Sequence, residues 1–420
     1  MTARIIDGFL TDAPFLDEPR LARVLLALNG DGEETRVVGG AVRNALMGEP
    51  VHEVDLATTA LPEVTIARAK AAGFKPIPTG IEHGTITILV DGAPFEATTL
   101  REDVETHGRH ATVRFGRDFR MDALRRDFTI NQMSVDAHGR LHDYSDGLAD
   151  VAARRVRFIG DAATRIAEDY LRILRFFRFH AAYGQSEMDA HALHASIAAR
   201  GFLDGLSRER VRAELLKLLA ARRARDVVEA MTHAGILGPV LGGAPNPDRL
   251  ARLKSIEAEY DLAPDPVLRL AALAVQTRED AERLRERLRL SNAEQSRLAN
   301  AANALAPLHC HDEPPDAVRL RRLLYVHGRQ PLLDALALSH AESRAATEDS
   351  GWRAGFAFVR DHAELKLPFA GADLIAKGFA RGPAIGATLA QLEAAWMEAD
   401  FTSDAAALEK MLERVTKAAR

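Results

Sequence analysis

A single cysteine, Cys310, among 420 residues leaves no partner for an internal disulfide. That excludes a disulfide-stapled scaffold and fits a reducing compartment. Long apolar runs are missing too, since no stretch approaches the roughly 20 residues that span a bilayer. The opening "MTARIIDGFLTDAPF" carries acids early and lacks the apolar core of a secretory signal, so the expected site of action is the cytoplasm, away from any membrane. Strong net charge is also absent: the balance is -5 and the pI near 6.3. Averaged over the chain, charge therefore does not announce a nucleic-acid binder, which moves the question to its distribution. What is present, 47% hydrophobic and 27% charged residues, belongs to a globular protein. At about 100–200 residues per domain, the length predicts several domains.

The periodicity divides the chain. Residues 1–30 read as an N-terminal helical segment ending at Gly30 or Gly32. Residues 31–150 alternate strand and helix signals and predict an α+β domain built on a small sheet. "TRVVGG" is a strand running into a glycine turn. "GTITILVDGAPFEATTL" is a hairpin turning at Asp91-Gly92, and "INQMSVDAHGRLHDYSDG" is a second strand pair. "AVRNALMG" and "LPEVTIARAKAAG" read as helices, the second stopped by Gly73. Beyond 150, strand signals nearly vanish, and the helical pattern breaks at 242–248, 262–266 and 310–316. Residues 151–225 hold fifteen Lys and Arg against eight Asp and Glu, an excess of seven positive charges. Such a segment suits a polyphosphate or a nucleic acid. A solvated helical surface is the competing reading. Residues 226–420 form a helical remainder.

Three constellations carry chemistry. Gly39-Gly40 stand between a strand and a helix, where backbone amides face a phosphate, and Arg43 lies one turn further on. Glu53 and Asp55 alternate in "EVDLA", which reads as a strand and puts both carboxylates on one face. Paired carboxylates repel unless a cation lies between them, and Mg2+ bound to a triphosphate answers that need. Glu96, on the second hairpin strand, is placed to join them as two-metal phosphoryl transfer requires; an edge-strand glutamate in solvent is the plainer alternative. In "ALRRDFTINQ", Arg125 and Arg126 suit phosphates, while Asp127 and Asn131 suit ribose hydroxyls.

The succession GGxVR, carboxylate-x-Asp, strand glutamate, RRDxxxN and EDxxRxxR over about residues 37–220 resembles the tRNA nucleotidyltransferases of the CCA-adding type. More broadly it is similar to the bacterial class II branch of polymerase-β-like nucleotidyltransferases, which includes poly(A) polymerases. The resemblance implies a catalytic head followed by an all-α neck, body and tail. It implies Mg2+-dependent, template-independent addition of CMP and AMP, from CTP and ATP, to the 3′ end of tRNA, with no obligate protein partner. Glu53 and Asp55 would be the metal ligands and, with Glu96, the catalytic carboxylates. Two positions depart from the family pattern: Glu53 stands where Asp is usual, and Asn44 where an Asp usually follows the phosphate arginine.

The resemblance also implies that a helix starting at Glu168, "EDYLRILRFFRF", reads the base. Asp169 and Arg172, three residues apart, would share one face of it. A carboxylate acceptor beside a guanidinium donor complements the amine and ring nitrogen of cytosine and adenine, and mismatches uracil and guanine. Arg175 and Arg178, further along, would meet phosphate or tune that pair. An intrahelical Asp–Arg ion pair is the structural alternative. Addition of CC only, of A only or of poly(A) uses the same motifs, and an inactive RNA-binding relative remains a rival from another class. "LSRERVRAELLKLL" resembles the family's neck helix, with Ser207 as its N-cap and Arg210 and Glu214 one turn apart. "HCHD" (309–312) reads as a surface loop rather than a metal site.

Overall fold

The computed structural model describes residues 4–7, 15–107 and 110–418, with backbone alone over 102–113. The chain divides into two compact units, Met1–Val240 and Leu241–Arg420. Among the described residues no helix is long and apolar enough to cross a membrane.

The first unit begins with a short strand, β1 (Arg4–Ile6), and helix α1 (Pro19–Leu28). Leu21, Val24, Leu25 and Leu28 recur at helical spacing and are buried, so α1 packs one stripe inward. The expected 1–30 helical segment is therefore a strand and a helix, with 8–14 outside the described residues. Then follow β2 (Thr35–Val38), α2 (Gly40–Met47), β3 (Asp55–Thr58), α3 (Pro62–Ala71), β4 (Lys75–Gly80), β5 (Thr85–Val90) and β6 (Ala93–Thr99). Next come the strands β7 (Arg101–His107) and β8 (His110–Phe115), then α4 (Phe119–Leu124), β9 (Ser134–Val135), β10 (Leu141–Asp143) and α5 (Gly147–Ala152).

Eight strands form one sheet in the order β1-β10-β9-β2-β3-β6-β5-β4, while β7 and β8 pair separately. The β5–β6 hairpin turns at Asp91-Gly92, both at positive φ (47° and 80°), as a two-residue turn with right-handed strand twist requires. Among the described strands only β3 and β6 run parallel; α3 and the β4–β5 excursion make that connection. Val37, Leu56, Ile86, Ile88 and Ala97 are buried and give the sheet its apolar side.

Helices α6 (Ala162–Glu168), α7 (Leu171–Tyr183), α8 (Ala190–Ala198), α9 (Arg208–Ala220) and α10 (Ala224–His233) complete the unit, with a six-residue 3-10 turn, Arg200–Gly205, between α8 and α9. Phe128 meets Phe158 and Phe179 with ring centroids 4.8 and 5.1 Å apart, and Phe158 meets Phe176 at 5.9 Å. This buried aromatic seam fixes α7 against the head. The helix expected to start at Glu168 is broken there. α6 ends at Glu168, Asp169 is extended (φ -156°, ψ 106°), and α7 starts afresh at Leu171. The physical reason is capping: the Asp169 carboxylate accepts from Leu171 N at 3.1 Å, a local bond that competes with helix continuation.

The second unit is helical among the described residues, without strands. The breaks expected at 242–248 and 262–266 run into the first residues of the helices Pro247–Glu259 and Pro266–Ala274, and that at 310–316 lies just before the helix Ala317–His327. Its charged interior is paired: Arg269 meets Glu257 at 2.6 Å, both buried. Buried Arg249 donates to the carbonyls of Ala271 and Ala272 at 2.6 Å each, closing a helix end.

Candidate active site

The site is built where four elements of the sheet and its helices meet. β2 stops at Val38, and the chain reverses at Gly39 (φ 69°, ψ -122°) before α2 begins at Gly40. A Cβ on Gly39 would lie 3.1 Å from Arg126 Nη1, so this glycine supplies both a left-handed backbone and room for the guanidinium. The turn thus sets the first amides of α2 beside a cation, the arrangement that receives phosphate.

Asp55 opens β3 and is level with Glu96 of β6 across the parallel ladder. Residues so paired project to the same face. Burial by the surrounding protein, then the charges of Glu96 and Glu53, push the Asp55 carboxyl above its usual range, against the pull of Arg126. Glu53 is not on the strand as expected; it lies in the segment leading into it. Among the described residues no three His, Cys, Asp or Glu side chains are gathered closely enough to hold a metal by themselves. The donor set nevertheless fits a divalent cation that also has a ligand from substrate: oxygen atoms only, of like charge, with one proton affinity already raised by the crowding.

Two clefts share these carboxylates. The smaller, about 310 Å³, is lined by Asp55, Glu96, Arg101, Asp122, Arg125 and Arg126. The larger, about 1110 Å³, runs along Glu49, Val51, His52, Glu53 and Pro94, and again has Asp55 and Glu96 in its wall. Asp122, which sequence reasoning missed, organises the smaller cleft. It is buried and accepts from Arg125 Nε and Nη2 at 2.9 and 2.6 Å and from Arg126 Nη2 at 3.2 Å. Burial alone would raise its carboxyl; the two guanidiniums outweigh that and hold it below the usual range. The spacing Asp122–Arg125–Arg126, i, i+3 and i+4 running off the C-terminal end of α4, was the available signal.

Behind the clefts runs a chain of charges. Arg43 is buried and donates to Asn131 Oδ1 (2.6 Å), Asn44 Oδ1 (2.8 Å) and the Tyr183 hydroxyl (2.7 Å), with its guanidinium 4.0 Å from the Tyr183 ring centroid. Asn131 Nδ2 donates to Asp127 Oδ1 at 3.2 Å, and Arg175 donates to Asp127 Oδ2 at 2.7 Å. Arg175 and Arg178 then meet Glu214 of α9 at 3.7 and 2.5 Å. Burial opposes the Asp127 carboxylate, but Arg175 and the Asn131 and Phe128 donors overcome it, so its pKa lies low. Asp127 and Asn131 are thus occupied inside the protein. Asn44, the departure noted in the sequence, serves the same network and ties it to Pro50 O at 2.8 Å.

Asp169 and Arg172 do not pair with each other. Asp169 Oδ2 accepts from Arg210 of α9 at 2.5 Å, while Arg172 bonds Glu168 and, at 2.8 Å, the Arg165 carbonyl. Arg210 and Glu214, one turn apart on α9, each reach across to the segment 169–178. Ser207 occupies the N-cap position of α9, but its hydroxyl bonds Glu209 at 2.7 Å and no backbone amide.

Comparison with known proteins matches the poly A polymerase head domain model over residues 35–157, and the model described as "Probable RNA and SrmB- binding site of polymerase A" over 187–247. The mitochondrial CCA tRNA nucleotidyltransferase 1 of Danio rerio is 35% identical over 392 residues, covering 88% of this chain and 84% of that protein. The chain belongs to the CCA tRNA nucleotidyltransferase family. A CCA-adding enzyme of Streptococcus gordonii is 30% identical over 390 residues, covering 92% of this chain and 94% of that one. The crystal structure of the Bacillus stearothermophilus CCA-adding enzyme in complex with CTP superposes with a TM-score of 0.73 at 25% identity, over 95% of this chain and 98% of that one. Nucleotidyltransferases of this family generally use a divalent metal. The polymerase-β-like head with one small sheet and a helical remainder, expected from the motif order, is the fold of this CCA tRNA nucleotidyltransferase relative.

Proposed function

We propose that this protein adds CMP and AMP, from CTP and ATP, to the 3′ end of tRNA without a nucleic-acid template, releasing pyrophosphate. The observation that carries this reading is the shared wall. Asp55 and Glu96 line both an arginine-rimmed cleft and a broad groove. A triphosphate enters the first, beside Gly39, Gly40, Arg125 and Arg126; an RNA 3′ terminus enters the second. The two reactants then meet at the carboxylates. The 3′ oxygen bonds to the α-phosphorus, the bond to the β-phosphate oxygen breaks, and the hydroxyl proton passes toward Glu96. Holding the reactants in line supplies most of the acceleration in such transfers.

Glu53 and Asp55 would hold Mg2+, which when bound neutralises the charge gathering on the phosphates. Arg43, Asp127 and Asn131 act behind the surface, keeping the glycine turn and Arg175 in register. Asp169 and Arg172 select the base. In the free protein their polar atoms are held by Arg210 and Glu168, so each exchanges a protein partner for a base edge when a nucleotide binds. The four parts of the chain, 1–30, 31–150, 151–225 and 226–420, then act as lead-in, head, neck and tRNA-binding body and tail. The absence of a long apolar helix among the described residues and the lone Cys310 support action in the cytoplasm, although three curated relatives carry a mitochondrial name.

The test is incorporation from each of the four nucleotides onto tRNA lacking its last three residues. CTP and ATP, and not UTP or GTP, should be used in turn. Asp169→Ala should lower discrimination against UTP and GTP by about 1–3 kcal/mol in relative kcat/KM, because a buried mismatch is no longer penalised. Unchanged preference in the folded variant would take base selection away from Asp169. No incorporation by the wild-type protein would overturn the activity itself.

A further inference from the structure

One cleft of the first unit is lined by none of the residues assigned to that reaction. It lies between α6 and α8, measures about 520 Å³, and is lined by Ile166, Tyr170, His191, His194, Ala195 and Phe202 among others. That volume falls in the range of small-ligand clefts, about 300–1,000 Å³. Its floor is a stacked aromatic pair. The rings of Tyr170 and Phe202 are 4.3 Å apart and only 10° from parallel. Phe202 is nevertheless 57% exposed, although large apolar side chains in this unit are mostly buried. A parallel ring pair open to solvent is a ready stacking step for a third flat ring.

We propose that this cleft seats one unpaired base of the RNA substrate, stacked on Phe202. The inference rests on the proposed function, which supplies an RNA with a single-stranded 3′ end. Five observations bear on that occupant. Tyr170 directly follows Asp169, so the step adjoins the base-selecting position. The cleft belongs to the segment 151–225, whose excess of seven positive charges suits a nucleic-acid backbone. No Arg or Lys lines the cleft itself, so an incoming triphosphate would find no counter-charge there, whereas a base with a single backbone phosphate does not need one. The acid on the rim, Asp161, is tied to its own helix, accepting from Thr164 N and Oγ1 at 2.8 and 2.7 Å as the cap of α6. His191 and His194, exposed and one turn apart on α8, offer hydrogen-bonding nitrogens to a base edge or ribose.

The experiment uses tRNA lacking its last three residues, with 2-aminopurine at its 3′-terminal unpaired position, titrated with the full-length protein. Wild type should quench the probe on binding. Phe202→Ala should abolish the quenching and raise the RNA Kd about 5- to 150-fold, the range that corresponds to loss of one stacking aromatic. Its melting temperature and its preference among the four nucleotides should remain those of the wild type. Phe202→Trp, which keeps a flat ring, should restore both quenching and affinity. Unaltered quenching and Kd in a folded Phe202→Ala protein would overturn the proposal, as would failure of Phe202→Trp to restore them. Because binding is read separately from incorporation, a wild-type protein that binds and quenches but adds no nucleotide would refute the activity while upholding the step.

Discussion

Asp55 shows how one residue can be held at odds with the stability of its own fold. Surrounding protein, Glu96 and Glu53 all press against its charge, and Arg126 only partly relieves them. For a carboxylate whose folded pKa is raised, the favourable contribution is fully present below the unfolded value, near 3.9, and is lost as pH rises through the folded value. At neutral pH the ionised form therefore weakens the fold unless a cation is bound. Asp55→Asn keeps the shape and removes the charge. In the presence of a chelator, its melting temperature at pH 7 should equal or exceed that of the wild type, and the gap should close toward pH 4. Adding Mg2+ should raise the wild-type melting temperature and leave that of Asp55→Asn nearly unmoved, while incorporation by the variant is abolished. A variant that melts lower than wild type across this range would mean that Asp55 is a structural residue and not a cation ligand.

At the scale of elements, α9 neutralises α7. Glu214 is buried and faces both Arg175 and Arg178, and Arg175 in turn neutralises Asp127. Removing Glu214 leaves two nearby guanidiniums with reduced compensation, so Glu214→Ala should cost about 1–3 kcal/mol in a denaturant titration. Asp127 gives the accompanying pH signature. Its folded pKa is depressed, so its stabilisation is complete above about pH 4 and is lost as pH falls through the lower folded value. Acid unfolding of the wild type should carry that loss below about pH 4, and Asp127→Asn should flatten it. Equal acid profiles would remove Asp127 from the account.

These same elements mark what the sequence could and could not disclose. The Asp91-Gly92 hairpin, the Gly39 turn and the nearness of Glu96 to Asp55 were legible, because turn chemistry and strand alternation are local signals. β4 was not: Pro76 and Pro78 argue against a strand, and the structure tolerates them because β4 is the sheet's edge. The break at Asp169 was hidden because an apolar helical pattern runs through it, and only the cap bond to Leu171 N interrupts it. The partners of Arg210 and Glu214 were invisible, since helical spacing suggests an i, i+4 pair while packing of α9 on α7 offers each a better-placed opposite charge.

Across the whole molecule the informative quantity is where charge resides. The chain carries -5 overall, yet residues 151–225 carry an excess of seven positive charges, so the remaining residues together carry an excess of twelve negative ones. Many of the arginines of 151–225 are already committed: Arg155 and Arg157 to Asp150 at 2.6 Å each, Arg175 and Arg178 to Glu214, and Arg210 to Asp169. Ion pairs of this kind order the cations without cancelling the regional excess. A polyanion attracted to this segment releases counterions for each phosphate it contributes, with a salt slope of about 0.7–0.9 per phosphate. The acidic remainder repels any polyanion that does not also match the site. Affinity for tRNA lacking its last three residues should therefore fall by at least tenfold between about 50 and 200 mM salt, while unrelated duplex DNA binds weakly even at the lower value. Filter binding or anisotropy across that range reads both. A flat profile for tRNA would mean that the basic segment 151–225 is only a solvated surface, and tight DNA binding would mean that the acidic remainder confers no selectivity.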